Sequence, residues 1–259
     1  MHIDPVARAY AHLDNLSAEE VTNFKPRIPR FNPSGISKCS RLIWYKHVGT
    51  VPEPFPGFLR QYGPYGDHAH DQVRTLMYEA GCEMSALTFN DDGTVGETDI
   101  VKKEYTHNGQ TFTISGRGDG RITVDGEEMY LELKSVDAYK FRNMRNAYLQ
   151  GKLEDHIRKE WDSYIQQCNL MMALLGLDKT YLVLINRSNC QFGMSDRKFE
   201  NQEGGLILKF DQELWEKQLN KMAMITRKAD EGVPPMRGKS QGSRDCQQCA
   251  YETKCWGAE

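Results

Sequence analysis

Apolar residues recur at helical spacing in three long stretches of the chain. Over residues 67–80 the apolar positions fall three and four apart, which predicts an amphipathic helix that ends at Gly81. A longer apolar stripe over residues 157–175 stops before Gly176 and predicts another helix. A last amphipathic helix is predicted over residues 214–225.

The region between the first two helices has the character of β-structure. Residues 97–136 predict a meander of three strands, with turn signals at 108–109 (Asn-Gly) and 125–126 (Asp-Gly). The continuous apolar run over residues 180–186 follows a predicted helix, so it predicts a buried strand reached by a βαβ crossover. We therefore predict the α/β class, with a mixed central sheet flanked by helices.

The domain organisation follows from the amino-terminal pattern. Residues 1–30 are mostly polar and predict an N-terminal extension, while residues 31–259 form the main domain. A short helix is predicted within residues 37–47, after a stretch that prolines interrupt.

Composition narrows the class of protein without revealing its substrate. The 259 residues are 27% charged and 39% hydrophobic, as in ordinary globular domains. No apolar run approaches the ~20 residues of a membrane helix, and the start of the chain lacks an apolar signal core, so we expect a cytoplasmic protein. A net charge of -3 means that any nucleic-acid surface must be a local basic patch.

The strongest chemical signal lies in the predicted hairpin around 125–126. A two-residue loop there places Val124 opposite Glu127, and extending the same register places Asp119 opposite Glu132. Their Cβ atoms would then be ~5 Å apart on one face of the sheet. Because side chains alternate along a strand, Lys134 shares that face with Glu132.

Two opposed carboxylates repel each other unless a cation lies between them. Their hard oxygen atoms favour Mg²⁺ or Mn²⁺, and Lys134 would add a point charge or a proton acceptor beside the ion. Gly116, Gly118 and Gly120 leave the strand bare, which would allow a nucleic-acid backbone to approach. The alternative is a solvent-facing hairpin with a polar face, and Asp119 at matching register argues against it.

These residues resemble the motifs of a known nuclease superfamily. GRGD at 116–119 and ELK at 132–134 resemble two motifs of the PD-(D/E)xK nucleases, in the RecB-type branch that includes CRISPR-associated exonucleases. The resemblance implies a restriction-endonuclease-like core. It also implies that Asp119 and Glu132 bind metal and that the carbonyl of Leu133 completes the shell.

Two further positions follow from the same resemblance. Gly66 and His70 match a G-x-x-x-H motif, which makes His70 a metal ligand. Gln167 matches the Q-x-x-x-Y motif and would support Lys134 or the scissile phosphate. Met171 stands where that motif has tyrosine, and Gln166 is the competing register.

The seven cysteines include a carboxyl-terminal C-x2-C-x5-C group, formed by Cys246, Cys249 and Cys255. One remote cysteine, Cys39, joined to this group resembles the [4Fe-4S] site of the same nuclease branch, and Zn²⁺ is the alternative. Such a site would close a loop of roughly 200 residues. The remaining cysteines are predicted to be core residues: Cys82, Cys168 and Cys190.

The segment after Lys134 is a candidate DNA-binding surface. Tyr139, Lys140, Arg142 and Arg145 combine basic groups that can follow phosphates with a ring that can stack on unpaired bases. The alternative is a solvated helix start with a few buried rings. A second basic group is formed by Arg237, Lys239, Arg244 and Lys254.

The function predicted from these observations is metal-dependent hydrolysis of DNA phosphodiesters. The resemblance implies exonuclease action on DNA ends, in recombination, repair or phage replication. The alternative is a non-catalytic DNA-binding or assembly module stabilised by zinc or an iron-sulfur cluster. We expect single-stranded DNA or DNA with a free end as partner and no membrane. RNA, a homo-oligomer and a recombination partner protein stay open.

Overall fold

A computed structural model describes residues 5–26, 28–54, 56–57, 60, 62–97, 100–189, 191–193 and 204–257. The helices are α1 (Pro5–Thr22), α2 (Ser40–His47), α3 (Tyr62–Glu79), α4 (Ala138–Leu149), α5 (Leu153–Glu160), α6 (Asp162–Leu175), α7 (Gln212–Asp230), α8 (Arg244–Gln247) and α9 (Glu252–Trp256). The strands are β1 (Met84–Ser85), β2 (Thr88–Phe89), β3 (Val95–Gly96), β4 (Val101–His107), β5 (Gln110–Gly116), β6 (Gly120–Val124), β7 (Glu127–Val136), β8 (Lys179–Asn186) and β9 (Leu206–Lys209). Cys190, which was predicted to lie in the core, falls outside the described residues.

The central sheet is mixed and has the strand order β1-β6-β7-β8-β9. Strands β6 and β7 form an antiparallel hairpin, β7 and β8 are parallel, and β9 returns antiparallel. The connection from β7 to β8 runs through α4, α5 and α6, so the predicted crossover and the predicted mixed α/β sheet are both confirmed. Alternate residues of β8 pack on opposite sides of the sheet, since Leu182 and Leu184 join the α4–α6 core and Val183 and Ile185 join the core beneath α3.

The predicted three-stranded meander is wrong. The chain forms two successive hairpins, and β4–β5 is a separate two-stranded sheet. The reason lies at the second edge of β5, where Phe31 bonds to the backbone of Thr113 and Ser115, each at 2.9 Å. This edge is therefore occupied, and β6 pairs with β1 and β7 instead.

The predicted helices are present with different limits. The helix around His70 begins at Tyr62, earlier than predicted, and the last helix extends over Gln212–Asp230. The long stripe over residues 157–175 is broken at Trp161, which ends α5 and begins α6. Trp161 is 3% exposed and packs in the core with α4, so burial of its ring fixes the bend.

The amino-terminal extension contains a helix that its polar composition did not predict. α1 is mostly exposed, and two contacts attach it to the loop before α3. The backbone N–H of Gly57 donates to Asp14 at 2.8 Å, and Glu20 pairs with Arg60. Among the described residues, no helix has the length and apolar character that crossing a membrane requires.

Candidate active site

The β6–β7 hairpin has the register that the sequence predicted. Val124 pairs with Glu127, and the ladder continues to Gly120 opposite Leu131. Asp125 and Gly126 form the turn with φ values of 53° and 78°, the two positive angles that a type I′ turn requires. Asp119 immediately precedes β6. If the ladder is extended by one position, Asp119 lies opposite Glu132.

The carboxylate of Asp119 is fixed at both oxygen atoms. The backbone N–H of Leu133 donates to Oδ2 at 2.8 Å, and Nη1 of Arg74 donates to Oδ1 at 2.8 Å. Nδ1 of His70 lies 3.5 Å from the same Oδ1. Asp119 is only 6% exposed, so its orientation is set by the protein rather than by solvent.

Glu132 is held by three side chains and is 1% exposed. The hydroxyl of Tyr130 donates to Oε2, and Nε2 of Gln167 donates to Oε1 at 2.9 Å. Nζ of Lys134 forms an ion pair with Oε1 and lies 5.4 Å from the centre of the Tyr164 ring. Glu132 thus has a defined orientation and an adjacent cation.

The two carboxyl groups differ in pKa. Burial raises the pKa of Asp119, but the hydrogen bond and charge of His70, the Leu133 N–H and the charge of Arg74 together outweigh it, so the pKa is lowered. For Glu132 burial prevails over the attraction of Lys134, and the charge of Asp119 adds to it, so the pKa is raised. Burial lowers the pKa of Lys134, but the adjacent Glu132 outweighs it and the pKa is raised. Asp119 is therefore ionised at neutral pH. Because the pKa values of both Glu132 and Lys134 are raised, a proton stays bound within that pair.

Helix α3 brings His70 to these strands. A Cβ atom at Gly66 would lie 3.4 Å from the hydroxyl of Ser135, in ordinary van der Waals contact, so α3 runs beside β7 at this point. Nδ1 of His70 faces Asp119, while Nε2 is buried and has no hydrogen-bond partner. His68 is exposed on the other side of the helix. A neutral His70 ring, with its proton on Nδ1 towards Asp119, would therefore offer Nε2 as a nitrogen ligand.

The ligand atoms around Asp119 and Glu132 fit a hard divalent cation, but the two carboxylates do not need one to offset their repulsion. Carboxylate oxygens, a ring nitrogen and a backbone carbonyl are ligands that such ions accept. Among the described residues, however, no three His, Cys, Asp or Glu side chains form a preassembled metal site. The charges of Asp119 and Glu132 are already compensated by Arg74 and Lys134. Repulsion between the two carboxylates therefore does not by itself require a metal.

Two residues of this network were missed by the sequence analysis. Arg74 is a charged residue beside Val73 on the buried side of α3, one turn after His70, and this position is the signal that could have revealed it. Tyr130 lies two residues before Glu132 and four before Lys134 on β7, so strand periodicity alone places all three on one face.

The side chains of the two candidate glutamines, Gln166 and Gln167, have different hydrogen-bond partners. Gln167 donates to Glu132, whereas Nε2 of Gln166 donates to Asp162 at 2.6 Å on the exposed side of α6. Met171, at the expected tyrosine position, is 1% exposed in the core. The structure thus brings Gln167, and not Gln166, to the catalytic candidates.

The glycines near Asp119 serve the packing of the protein itself. A Cβ atom at Gly116 would lie 2.9 Å from both Met171 Sδ and Pro33 Cγ. Gly120 has φ 147°, and its Cβ would lie 3.0 Å from Leu87. The prediction that these bare positions admit a nucleic-acid backbone is therefore wrong for Gly116 and Gly120, because protein atoms occupy the space.

An acidic cavity of about 540 Å³ opens beside the site. Asp71 in its wall pairs with Arg74, which also pairs with Asp119, so the cavity lies next to the site. Burial, followed by the charge of Asp119, raises the pKa of Glu97 in the same wall. Its lining residues are Asp67, Asp71, Thr88, Asn90, Gly96, Glu97 and Arg117.

The two ends of the chain meet at the cysteines. Cys39 caps the start of α2, and the hydroxyl of Tyr45 on that helix donates to the carbonyl of Lys254 at 3.2 Å. The rings of Tyr45 and Tyr251 stack with centroids 5.2 Å apart. Burial raises the pKa of Cys249, and the charges of Cys246, Cys255 and Cys39 add to it. Among the described residues, no three of these thiols form a preassembled metal site. All four are free and half-buried.

Part of the candidate DNA-binding surface is exposed. Tyr139 is 64% exposed, and the guanidinium of Arg142 lies 5.9 Å from its ring centre. Lys140 is also exposed, whereas Arg145 is half-buried.

The second basic group is largely engaged within the protein. Arg237 donates to the carbonyl of Cys255 at 2.7 Å, and Lys254 donates to that of Val51 at 2.6 Å. Lys239 pairs with Asp245 at 3.0 Å.

Comparison with known proteins identifies the fold and not the family. No protein-family profile and no curated protein matches this sequence. The crystal structure of SSO0001 is similar, with a TM-score of 0.50 at 12% identity, and the match covers 96% of each chain. An alkaline exonuclease from Laribacter hongkongensis matches with a TM-score of 0.45 at 15% identity, covering 83% of this chain and 93% of that one. A phage related exonuclease from Haemophilus somnus 129PT matches with a TM-score of 0.43 at 14% identity, covering 81% of this chain and 96% of that one.

Proposed function

We propose that this protein is a divalent-metal-dependent nuclease of the PD-(D/E)xK type that hydrolyses DNA phosphodiesters. The observation that carries the proposal is the β6–β7 register, whose last pair, Gly120 with Leu131, leaves Asp119 and Glu132 at the next positions, with Lys134 paired to Glu132. Few surface hairpins bury two carboxylates and a lysine together, since burial of charge is costly unless the groups serve one another or a ligand.

Each side chain has a distinct part in the proposed reaction. Asp119, Glu132, His70 and the Leu133 carbonyl would hold Mg²⁺ or Mn²⁺, which when bound lowers the pKa of a water molecule and neutralises charge on phosphate. Lys134 would orient or deprotonate water beside the phosphate. Tyr130 and Gln167 keep Glu132 in one orientation, because their donors occupy both of its oxygen atoms.

The proposed DNA strand runs along the start of α4. This helix begins two residues after β7 ends, so its first turn lies close to Lys134 in the chain. The exposed ring of Tyr139 would stack on an unpaired base, while Lys140 and Arg142 contact the backbone phosphates. We infer single-stranded DNA or a free DNA end as the substrate, with exonuclease action.

We further propose that Cys39, Cys246, Cys249 and Cys255 hold a [4Fe-4S] cluster, with Zn²⁺ as the alternative. The proposal rests on four free cysteines from both chain ends, which the fold joins where Tyr45, on the helix after Cys39, donates to the carbonyl of Lys254 beside Cys255. Anaerobically purified protein should be brown, absorb broadly at roughly 400 nm and contain about four irons per chain. Colourless protein with stoichiometric zinc would contradict the iron-sulfur assignment.

The nuclease proposal is tested by digestion of end-labelled DNA. Single and double strands, labelled at either end, are incubated with Mn²⁺, with Mg²⁺ and with EDTA, and a labelled RNA strand is included. We expect DNA degradation only with the metal, and Glu132→Gln should abolish it. Intact DNA in every metal condition, with DNA binding retained, would favour the alternative of a non-catalytic DNA-binding module.

A further inference from the structure

We propose that Arg74 is a built-in counter-ion that orients Asp119 and weakens the binding of the divalent cation. Arg74 is a positioning residue in this proposal, which rests on the proposed metal-dependent function. Its side chain is among the largest fully buried side chains of the described residues. A buried charge of this kind must be paired, and its partners identify what it serves.

Arg74 joins three segments of the chain at Asp119. Nε donates to the carbonyl of Val95 at 3.0 Å, so β3 is tied to α3. Nη1 donates to both the side chain and the backbone carbonyl of Asp119, at 2.8 and 3.2 Å. Nη2 pairs with Asp71, which lies one turn earlier on α3 and lines the acidic cavity.

This geometry divides the positive charge of Arg74 between two carboxylates. Asp119 receives one side of the guanidinium fork and Asp71 receives the other. Because Leu133 occupies the other oxygen of Asp119, the carboxylate is already oriented by protein donors alone. A cation that binds Asp119 therefore meets a preformed ligand, but also a fixed positive charge bonded to that ligand.

Arg74 has two opposing effects on the affinity for the divalent cation, and their relative size decides whether it strengthens or weakens binding. Orientation favours binding, whereas the charge of Arg74 opposes it. A unit charge ~6 Å from a divalent ion changes affinity by about tenfold even when screened as in water, and by more inside a protein. Since Leu133 still orients Asp119 when Arg74 is neutralised, we expect the charge effect to prevail.

The test measures Mn²⁺ binding by titration calorimetry and by the metal-induced rise in melting temperature. In EDTA, Arg74→Gln should melt roughly 5–15 °C below wild type, because Asp119 and Asp71 lose their buried partner. Its apparent Kd for Mn²⁺ should be at least about threefold lower than that of wild type. Mn²⁺ should also raise its melting temperature by more than it raises that of wild type. Arg121→Gln is the matched control, since Arg121 pairs with Glu128 at 2.9 Å on the exposed side of the hairpin.

Two further variants keep the test decisive if Arg74→Gln does not fold. Arg74→Lys retains the charge but cannot bridge all three partners, so its Mn²⁺ affinity should be equal to that of wild type or slightly weaker. Asp71→Asn leaves more of the Arg74 charge on Asp119 and should weaken Mn²⁺ binding.

The possible failures are distinguishable. An unchanged or weaker Mn²⁺ affinity in Arg74→Gln would overturn the counter-ion proposal and leave the nuclease proposal standing. Where the Gln variant is unfolded, an unchanged or stronger Mn²⁺ affinity in Asp71→Asn would do the same. Wild-type protein that neither binds Mn²⁺ nor gains melting temperature would overturn the metal-dependent function itself, and the proposal for Arg74 with it.

Discussion

The carboxylate site and the cysteine segment are stabilised in different ways. By the carboxylate site we mean Asp119 and Glu132 with their direct partners, and by the cysteine segment residues 246–255 together with Cys39. In the carboxylate site each acidic group already has a cation from the protein, Arg74 or Lys134, and lies on a β-hairpin buried beneath helices. Its shape therefore depends little on a bound ion.

The cysteine segment consists of two short helices, α8 and α9, with half-buried thiols. Backbone contacts tie it to α2 and the following loop, as between Glu53 and Ala250 at 2.7 Å. Helices of four or five residues gain little stability of their own, so a bound metal would contribute a large share there. We therefore expect loss of the proposed ion from the carboxylate site to affect chemistry, and loss of the proposed cluster from the cysteine segment to affect folding.

The largest effect should come from Lys134→Met, which preserves length and removes the charge. We expect DNA cleavage to fall by at least about 100-fold, ~2.7 kcal/mol of barrier, as measured by single-turnover digestion. Stability should also fall, because Glu132 is buried and loses its cation. Lys179→Met is the control, since Lys179 pairs with Glu127 in an exposed position, and it should cleave normally. Retention of cleavage within about tenfold by Lys134→Met would refute the assigned role.

Cys39→Ala should damage the cysteine segment as severely as Cys249→Ala does. We expect most of the bound metal to be lost and the tail to become sensitive to limited proteolysis, with the central sheet intact by circular dichroism. Cys82→Ala should change neither property, because Cys82 packs beside the core under α3. Normal metal content in Cys39→Ala would remove Cys39 from the proposed ligands.

A smaller effect is expected from Gln167→Leu. Loss of its hydrogen bond leaves Oε1 of Glu132 to Lys134 alone, which should slow cleavage about tenfold through misorientation. Gln166→Leu is the neighbouring control and should cleave at the wild-type rate, because its side chain bonds to Asp162 instead. Equal rates for the two variants would show that the hydrogen bond to Glu132 is unimportant.

The smallest effect should come from Tyr139→Ala. Loss of one stacking ring should weaken the binding of single-stranded DNA by about 1–2 kcal/mol in a fluorescence anisotropy titration, while saturated cleavage rates stay unchanged. Tyr10→Ala removes a comparably exposed ring on α1, distant in sequence from the candidate site, and should bind normally. If both variants bind like wild type, the DNA strand follows another path.

The sequence alone determined the features that depend on neighbouring residues. Asp125 and Gly126 specify a type I′ turn, the turn fixes the register, and the register ends with Gly120 opposite Leu131, one position before Asp119 and Glu132. Strand alternation then places Lys134 beside Glu132, since its period is two in any strand. Turn geometry and strand periodicity are local rules, so a single sequence is enough to apply them.

The tertiary structure decided which distant groups meet. Arg74 and Asp119 are 45 residues apart, and Gln167 and Glu132 are 35 apart. Whether Gln166 or Gln167 faces the site depends on the rotation of α6 against the sheet, and α6 begins directly after Trp161. Such contacts are fixed by how whole helices pack, and packing sums many weak interactions that no short motif encodes. For this reason the sequence indicated a cation between two carboxylates, and only the fold revealed that Arg74 pairs with Asp119 and Lys134 with Glu132.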